Sequence, residues 1–117
     1  MIIGIGIDVV QIIRIERLIK KWGSKFTKRV FSQNEIKYSE THLKSEQHFA
    51  ANFAVKESFV KALGTGFKSD LRIRDIEVLR DKVGKPYINL FGKAKQKIAE
   101  LGINRIHTSI SHEGEYS

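Results

Sequence analysis

Apolar and polar positions change period several times along this chain, and each period predicts an element. Residues Ile2-Ile3-Gly4-Ile5-Gly6-Ile7 form a near-continuous apolar run closed by Asp8. β-Branched residues punctuated by glycine predict a strand over 2–9, buried on both faces or packed tightly against a neighbouring backbone. From Gln11 to Trp22, the apolar Ile12, Ile15, Leu18, Ile19 and Trp22 recur at helical spacing, while Arg14, Arg17, Lys20 and Lys21 collect on the remaining face. That is an amphipathic helix with a basic outer stripe. Ser32-Gln33-Asn34-Glu35 has the form of a capping box, which starts a short helix running through Tyr38 to about Thr41. A longer helix is expected from Ser45 or Glu46 to Leu63, with Phe49, Phe53, Val60 and Leu63 in its core, ended by Gly64-Thr65-Gly66. Strands are expected over 73–79 and 87–91, joined as a hairpin by a turn at 81–86 that holds Gly84 and Pro86. A last helix over 93–101 stops at Gly102, and 105–111 alternates side chains as a half-buried strand does. The expected order is strand, three helices, hairpin, helix, strand, an α+β arrangement.

Composition narrows the chemistry. At 117 residues with 41% hydrophobic positions and one proline, the chain fits a single globular domain over 1–117. The absence of cysteine excludes disulfides, a thiolate nucleophile and cysteine-ligated metal centres, so chemistry must use oxygen and nitrogen groups. The apolar N-terminus is short, lacks a preceding basic region and carries Asp8, which reads as neither signal peptide nor membrane span. A cytoplasmic setting is expected. A formal charge of +8 attracts nucleic acid, anionic lipid, phosphorylated small molecules or an acidic protein without choosing among them.

Two carboxylates stand in apolar company: Asp8, and Glu57 within Phe53-Ala54-Val55-Lys56-Glu57-Ser58-Phe59-Val60. Brought together, they would make a hard-oxygen site suited to magnesium, with Lys61 one helical turn beyond Glu57 as a positive charge beside it. Magnesium, carboxylates and lysine suit work on phosphates. The ordinary account of Glu57 and Lys61 is a solvated ion pair on a helix face. Gly4-x-Gly6 lacks the third glycine of a dinucleotide-binding turn, and no Walker lysine motif exists. His112 follows Thr108-Ser109-Ile110-Ser111 at the end of an expected strand, where it is either structural or a phosphate ligand or proton shuttle. The basic stripe is either a solvated face or a docking face for a negatively charged partner. Nucleic acid is not expected, because no recognition module and few spare aromatics are present.

Gly4-Ile5-Gly6-Ile7-Asp8-Val9-Val10, Arg14-Ile15, the run from Phe53 to Gly66, Gly84-Lys85-Pro86 and Ser109-Ile110-Ser111-His112 occur in that order. In these motifs the chain closely resembles the holo-[acyl-carrier-protein] synthases, small bacterial 4'-phosphopantetheinyl transferases, from Met1 to about Tyr116. The resemblance implies transfer of phosphopantetheine from coenzyme A to a serine of apo acyl carrier protein in fatty-acid biosynthesis, leaving adenosine 3',5'-bisphosphate. It implies Asp8 and Glu57 as magnesium ligands, Lys61 on the pyrophosphate, and Ser111 and His112 in a loop lining the coenzyme A site. Gly84, Lys85 and Pro86 match a turn near the adenine end that a neighbouring subunit commonly supplies. Glu57, directly or through a water on the metal, is the candidate base for the acceptor serine, and Lys61 stabilises or protonates the leaving phosphate. The carrier is acidic, so Arg14, Arg17 and Lys21 gain a specific partner. The implied fold is α+β, with helices packed on a bent antiparallel sheet, and the implied assembly is a homotrimer with sites at subunit interfaces.

The chain departs from the family pattern at its end. Family members continue beyond the equivalent of Glu115-Tyr116 with an apolar strand, whereas this chain reads only to Ser117. An unpaired edge beside 105–111 is the expected consequence. Two alternatives to the transferase remain at this level: a basic non-enzymatic module binding RNA or an acidic protein, and a truncated inactive homologue that only docks to the carrier.

Overall fold

The computed structural model describes residues 4–64 and 71–117. Five helices and one hairpin follow in order: α1 (Ile12–Trp22), α2 (Ser24–Val30), α3 (Gln33–Glu40), α4 (Ser45–Leu63), a 3-10 turn (Ile73–Asp75), β1 (Ile76–Arg80), β2 (Pro86–Leu90) and α5 (Gly92–Glu100). The α+β expectation is met. The expected capping box is present at α3, where Glu35 N donates to Ser32 Oγ at 3.2 Å and Ser32 N donates to Glu35 Oε1 at 3.0 Å. α4 ends at Gly64 with φ 74°, the left-handed conformation that a glycine adopts at little cost. Thr65 and Gly66, read with Gly64 as the helix stop, lie outside the described residues.

Helix α4 is the mast of the molecule. Its N-terminal half contributes Phe49, Ala50 and Ala54 to a core shared with Val10, Ile15, Val30 and Phe31, against which Phe53 also packs. Its C-terminal half sends Phe59 and Val60 into a second core with Leu71, Ile76 and Ala94, joined by Leu63. Between the two, the Lys56 ammonium is fully buried: it donates to Glu35 Oε1 at 2.7 Å, to the Ile73 carbonyl at 3.1 Å and to the Ile76 carbonyl. Burial alone would neutralise both partners, pushing Glu35 up and Lys56 down, and each offsets part of that cost for the other.

Four sequence expectations change. Helix α2 was not foreseen, because only Phe26, Thr27 and Val30 face inward from an otherwise polar, basic stretch. The strand expected over 73–79 begins as the 3-10 turn, and the ladder runs from Ile76↔Leu90 to Arg80↔Pro86. Trp22, counted on the apolar face of α1, is half exposed at the end of that helix, with Lys21 Nζ 5.2 Å from its ring centroid. The strands expected over 2–9 and 105–111 form no ladder among the described residues. Alternation survives in both: Ile106, Thr108 and Ile110 are half-buried between exposed neighbours, while Ile5, Ile7 and Val9 are exposed on one side of their segment. What 4–9 packs against is a helix and not a strand. At the chain's end, Ser117 exchanges backbone hydrogen bonds of 2.7 and 2.9 Å with Val10, and Glu115 O accepts from Ile12 N at 2.8 Å, holding the start of α1.

The hairpin turn is built as expected. Asp81 Oδ1 accepts from Val83 N at 3.0 Å and from Lys85 N at 2.8 Å, Gly84 takes φ 86°, and Pro86 opens β2.

Candidate active site

The approach of the N-terminal segment to α4 builds the site. Ala54, Ser58 and Ala62 recur every four residues and form a shallow ridge along one side of the helix. Gly6 lies on Ser58 and Gly4 on Ala62, so closely that a β-carbon at either glycine would collide with the helix carbonyl oxygens. Two residues of extended chain advance about 6.6 Å and four residues of helix about 6 Å, so the segment runs antiparallel to α4 in register with its turns. Continued from Gly6, that register sets Asp8 level with Ala54, one turn before Glu57, and the long Lys61 side chain, leaning toward the helix N-terminus, reaches back to it.

The meeting is direct. Lys61 Nζ donates to Asp8 Oδ1 at 2.6 Å and to the Ile7 carbonyl at 3.3 Å. The helix-face pairing of Lys61 with Glu57, the ordinary account of that spacing, is thus replaced by a tertiary one. Glu57 is close enough to Asp8 to feel its charge: burial, and then Asp8, raise the Glu57 carboxyl above the usual carboxylate range, while Lys61 and Arg14 pull it down. The Asp8 hydrogen bond in turn strengthens the hold of Lys61 on its proton. Asp8, Glu57, Lys61 and Arg14 therefore form one electrostatic unit, assembled from the N-terminal segment, α1 and α4.

The other expected site residues lie elsewhere in the chain. Burial and Arg80 lower the pKa of His112, and His112 together with Arg80 and His42 adds to the burial that lowers His48. Arg80 faces Pro86 across the hairpin ladder, so His112 and the turn of Gly84, Lys85 and Pro86 gather near the start of α4, where His48 sits. Glu57 stands nine residues further along, about 13 Å down the helix axis. Sequence reasoning missed the ring cluster found there. The tilted rings of Tyr38 and His42 lie 4.2 Å apart between centroids, those of His42 and His48 4.6 Å apart, and Arg80 lies 5.7 Å from the Tyr38 centroid. The four-residue spacing of Tyr38 and His42 was the available signal. Arg14, Arg17 and Lys21 are all exposed on α1, as the stripe predicts.

The donor set at Asp8 and Glu57 fits magnesium. Among the described residues no group of three or more metal-ligating side chains exists. Two carboxylates suit an ion that keeps several waters and completes its shell with substrate phosphate oxygens. The repulsion between Asp8 and Glu57 is the kind a divalent cation relieves.

The sequence matches the 4'-phosphopantetheinyl transferase superfamily over residues 4–115. It is 53% identical over 112 residues to the holo-[acyl-carrier-protein] synthase of Clostridium tetani, an alignment covering 96% of this chain and 87% of that protein. The crystal structure of holo-[acyl-carrier-protein] synthase from Neisseria meningitidis superposes with a TM-score of 0.91 at 36% identity, covering 99% of this chain and 93% of that one. That of the Helicobacter pylori holo-[acyl-carrier-protein] synthase in complex with coenzyme A superposes with a TM-score of 0.83 at 34% identity, covering 96% and 92%. With a carboxylate pair and lysine assembled as described, and with likeness along nearly its whole length, the chain belongs to the 4'-phosphopantetheinyl transferase superfamily.

Proposed function

We propose that this chain is a holo-[acyl-carrier-protein] synthase, transferring 4'-phosphopantetheine from coenzyme A to a serine of apo acyl carrier protein and releasing adenosine 3',5'-bisphosphate, in fatty-acid biosynthesis in the cytoplasm. The observation that carries it is the packing of Asp8 against Lys61 and Glu57 in a chain of this superfamily. Asp8 and Glu57 would hold magnesium, which when bound neutralises charge on the pyrophosphate oxygens. Glu57, its carboxyl already raised by burial and by Asp8, is suited to accept the serine proton. As the serine oxygen bonds to the phosphorus nearer the pantetheine, the pyrophosphate P–O bond breaks, and Lys61 meets the charge on the departing phosphate. Arg14, Arg17 and Lys21 form the docking stripe for the acidic carrier. A groove of about 380 Å³ lined by Lys28, Arg29, Arg72, Ile73 and Arg74 adds to the positive surface.

We further propose a homotrimer in which one subunit's Asp8, Glu57 and Lys61 face the Gly84, Lys85, Pro86, Ser111 and His112 surface of its neighbour. Two observations support it: the groups stand apart within one chain, and Ile5, Ile7 and Val9 are 80%, 79% and 69% exposed beside the carboxylates. No helix of the described residues is long and apolar enough to cross a membrane.

The test is release of adenosine 3',5'-bisphosphate from coenzyme A with apo acyl carrier protein, with and without magnesium, following the carrier's mass. Magnesium-dependent release with matching mass gain is the expected result. A folded protein that gives neither overturns the proposal.

A further inference from the structure

Lys61 and a divalent cation have a claim on the same carboxylate. The ammonium sits 2.6 Å from Asp8 Oδ1 and reaches the Ile7 carbonyl beside it at 3.3 Å, so two oxygens of the N-terminal segment serve as its acceptors. Its partner is the more fixed of the two: the Asp8 side chain is 18% exposed and the Lys61 side chain 55%. Asp8 is held by the glycine face of its segment against α4, whereas Lys61 is a flexible four-carbon stem with its head in solvent. A divalent ion seated between Asp8 and Glu57 would share Asp8 with the positive head of Lys61, and the repulsion between the two cations sets them in competition for that carboxylate. Lys61 can swing away, and a negatively charged phosphate gives it somewhere to go.

We propose that Lys61 is the resident counter-ion of Asp8, released from it when the donor's pyrophosphate offers the ammonium a new partner, so that donor binding opens the carboxylate to the metal. The inference rests on the transferase reading of the site. It assigns Lys61 a task separate from stabilising the leaving phosphate: making metal and donor bind cooperatively, each strengthening the other by the same factor. Among the described residues, the charged groups facing this carboxylate pair are Lys61 from α4 and Arg14 from α1, and of these it is Lys61 that hydrogen-bonds Asp8.

Manganese, a spectroscopically visible divalent ion, reads this out without turnover. Its affinity is measured by electron paramagnetic resonance on the wild type, Lys61→Met and Arg14→Met, with and without coenzyme A, and with thermal melts confirming that each is folded. Lys61→Met is expected to bind manganese alone about threefold more tightly than the wild type, the scale of an exposed ion pair removed from competition. Arg14→Met, which removes an equal charge not bonded to Asp8, is expected to change affinity less. Coenzyme A is expected to tighten manganese binding in the wild type and to do so much less in Lys61→Met. Unchanged or weaker manganese binding by folded Lys61→Met overturns the inference, and so does an equal gain in Arg14→Met. If the wild type binds no manganese even with coenzyme A, the magnesium reading of the site fails, and the inference fails with it.

Discussion

Glu57 is held against its own ionisation, and that cost would suit the base role proposed for it. Burial and the Asp8 charge raise its carboxyl in the folded protein, so the folded chain binds this proton more tightly than the unfolded chain does. Ionised Glu57 therefore subtracts stability, and the loss grows as pH rises from the ordinary carboxylate range through the raised value. Glu57→Gln should raise the melting temperature of the metal-free protein at pH 7 and give no gain below the ordinary carboxylate range. The same substitution should lower turnover by about 10²-fold or more, the usual worth of a general base. Parallel melts and bisphosphate-release assays across pH check both. Lys56 behaves in the opposite way. Lys56→Ala leaves Glu35 buried without its cation and should cost about 3–5 kcal/mol, whereas Glu35→Leu with Lys56→Met should restore most of that, as urea unfolding would show. Sequence made Lys61 and Glu57 legible and gave Lys56 no role, although all three share one helix. Five residues turn a helix through about 140°, enough to put one lysine in the core and the other in solvent, and a sequence does not show how the helix is rotated against its neighbours.

At the scale of elements, the contact between the glycine segment and α4 carries the site. Gly6→Ala would place a methyl group on the Ser58 carbonyl, which is backbone and cannot turn aside. The segment should lift, taking Asp8 from Glu57 and Lys61, with about 1–3 kcal/mol of destabilisation typical of overpacking. Turnover should fall further than stability alone explains, because the rest of the fold does not depend on Asp8; urea unfolding and release assays on one preparation would check this. Helix α1 was legible by its apolar period, and other elements by chemically marked ends: the Ser32 and Glu35 capping box, Gly64 after α4, and Asp81 to Pro86 at the hairpin turn. Helix α2 escaped because its apolar face is too sparse to show a period. The 4–9 segment has the composition of a strand, but composition does not say whether a strand or a helix will lie beside it. Here Gly4 and Gly6 allow helix backbone to come closer than a side chain would permit.

At the scale of the whole molecule, the proposed site is divided between the two ends of α4, which predicts complementation. Glu57→Gln and His112→Ala subunits, each nearly inactive alone, should recover activity when unfolded and refolded together. About a quarter of the interfaces would then pair an intact Glu57 with an intact His112. No recovery above the sum of the two parents would show that one chain holds a complete site. Charge and cysteine count bounded the chemistry from the start, and ordered motifs were enough to point to the family, since motif order and spacing are properties of a string. Helix spans, caps and the hairpin were likewise within reach, because each depends on neighbours a few residues apart. Partner choice was not. Lys61 finds Asp8 across 53 positions and Lys56 finds Glu35 across 21. Which lysine is buried, which carboxylate is paired and which surfaces stay exposed depend on how α4 is rotated and what lies against it, and tertiary packing decides both.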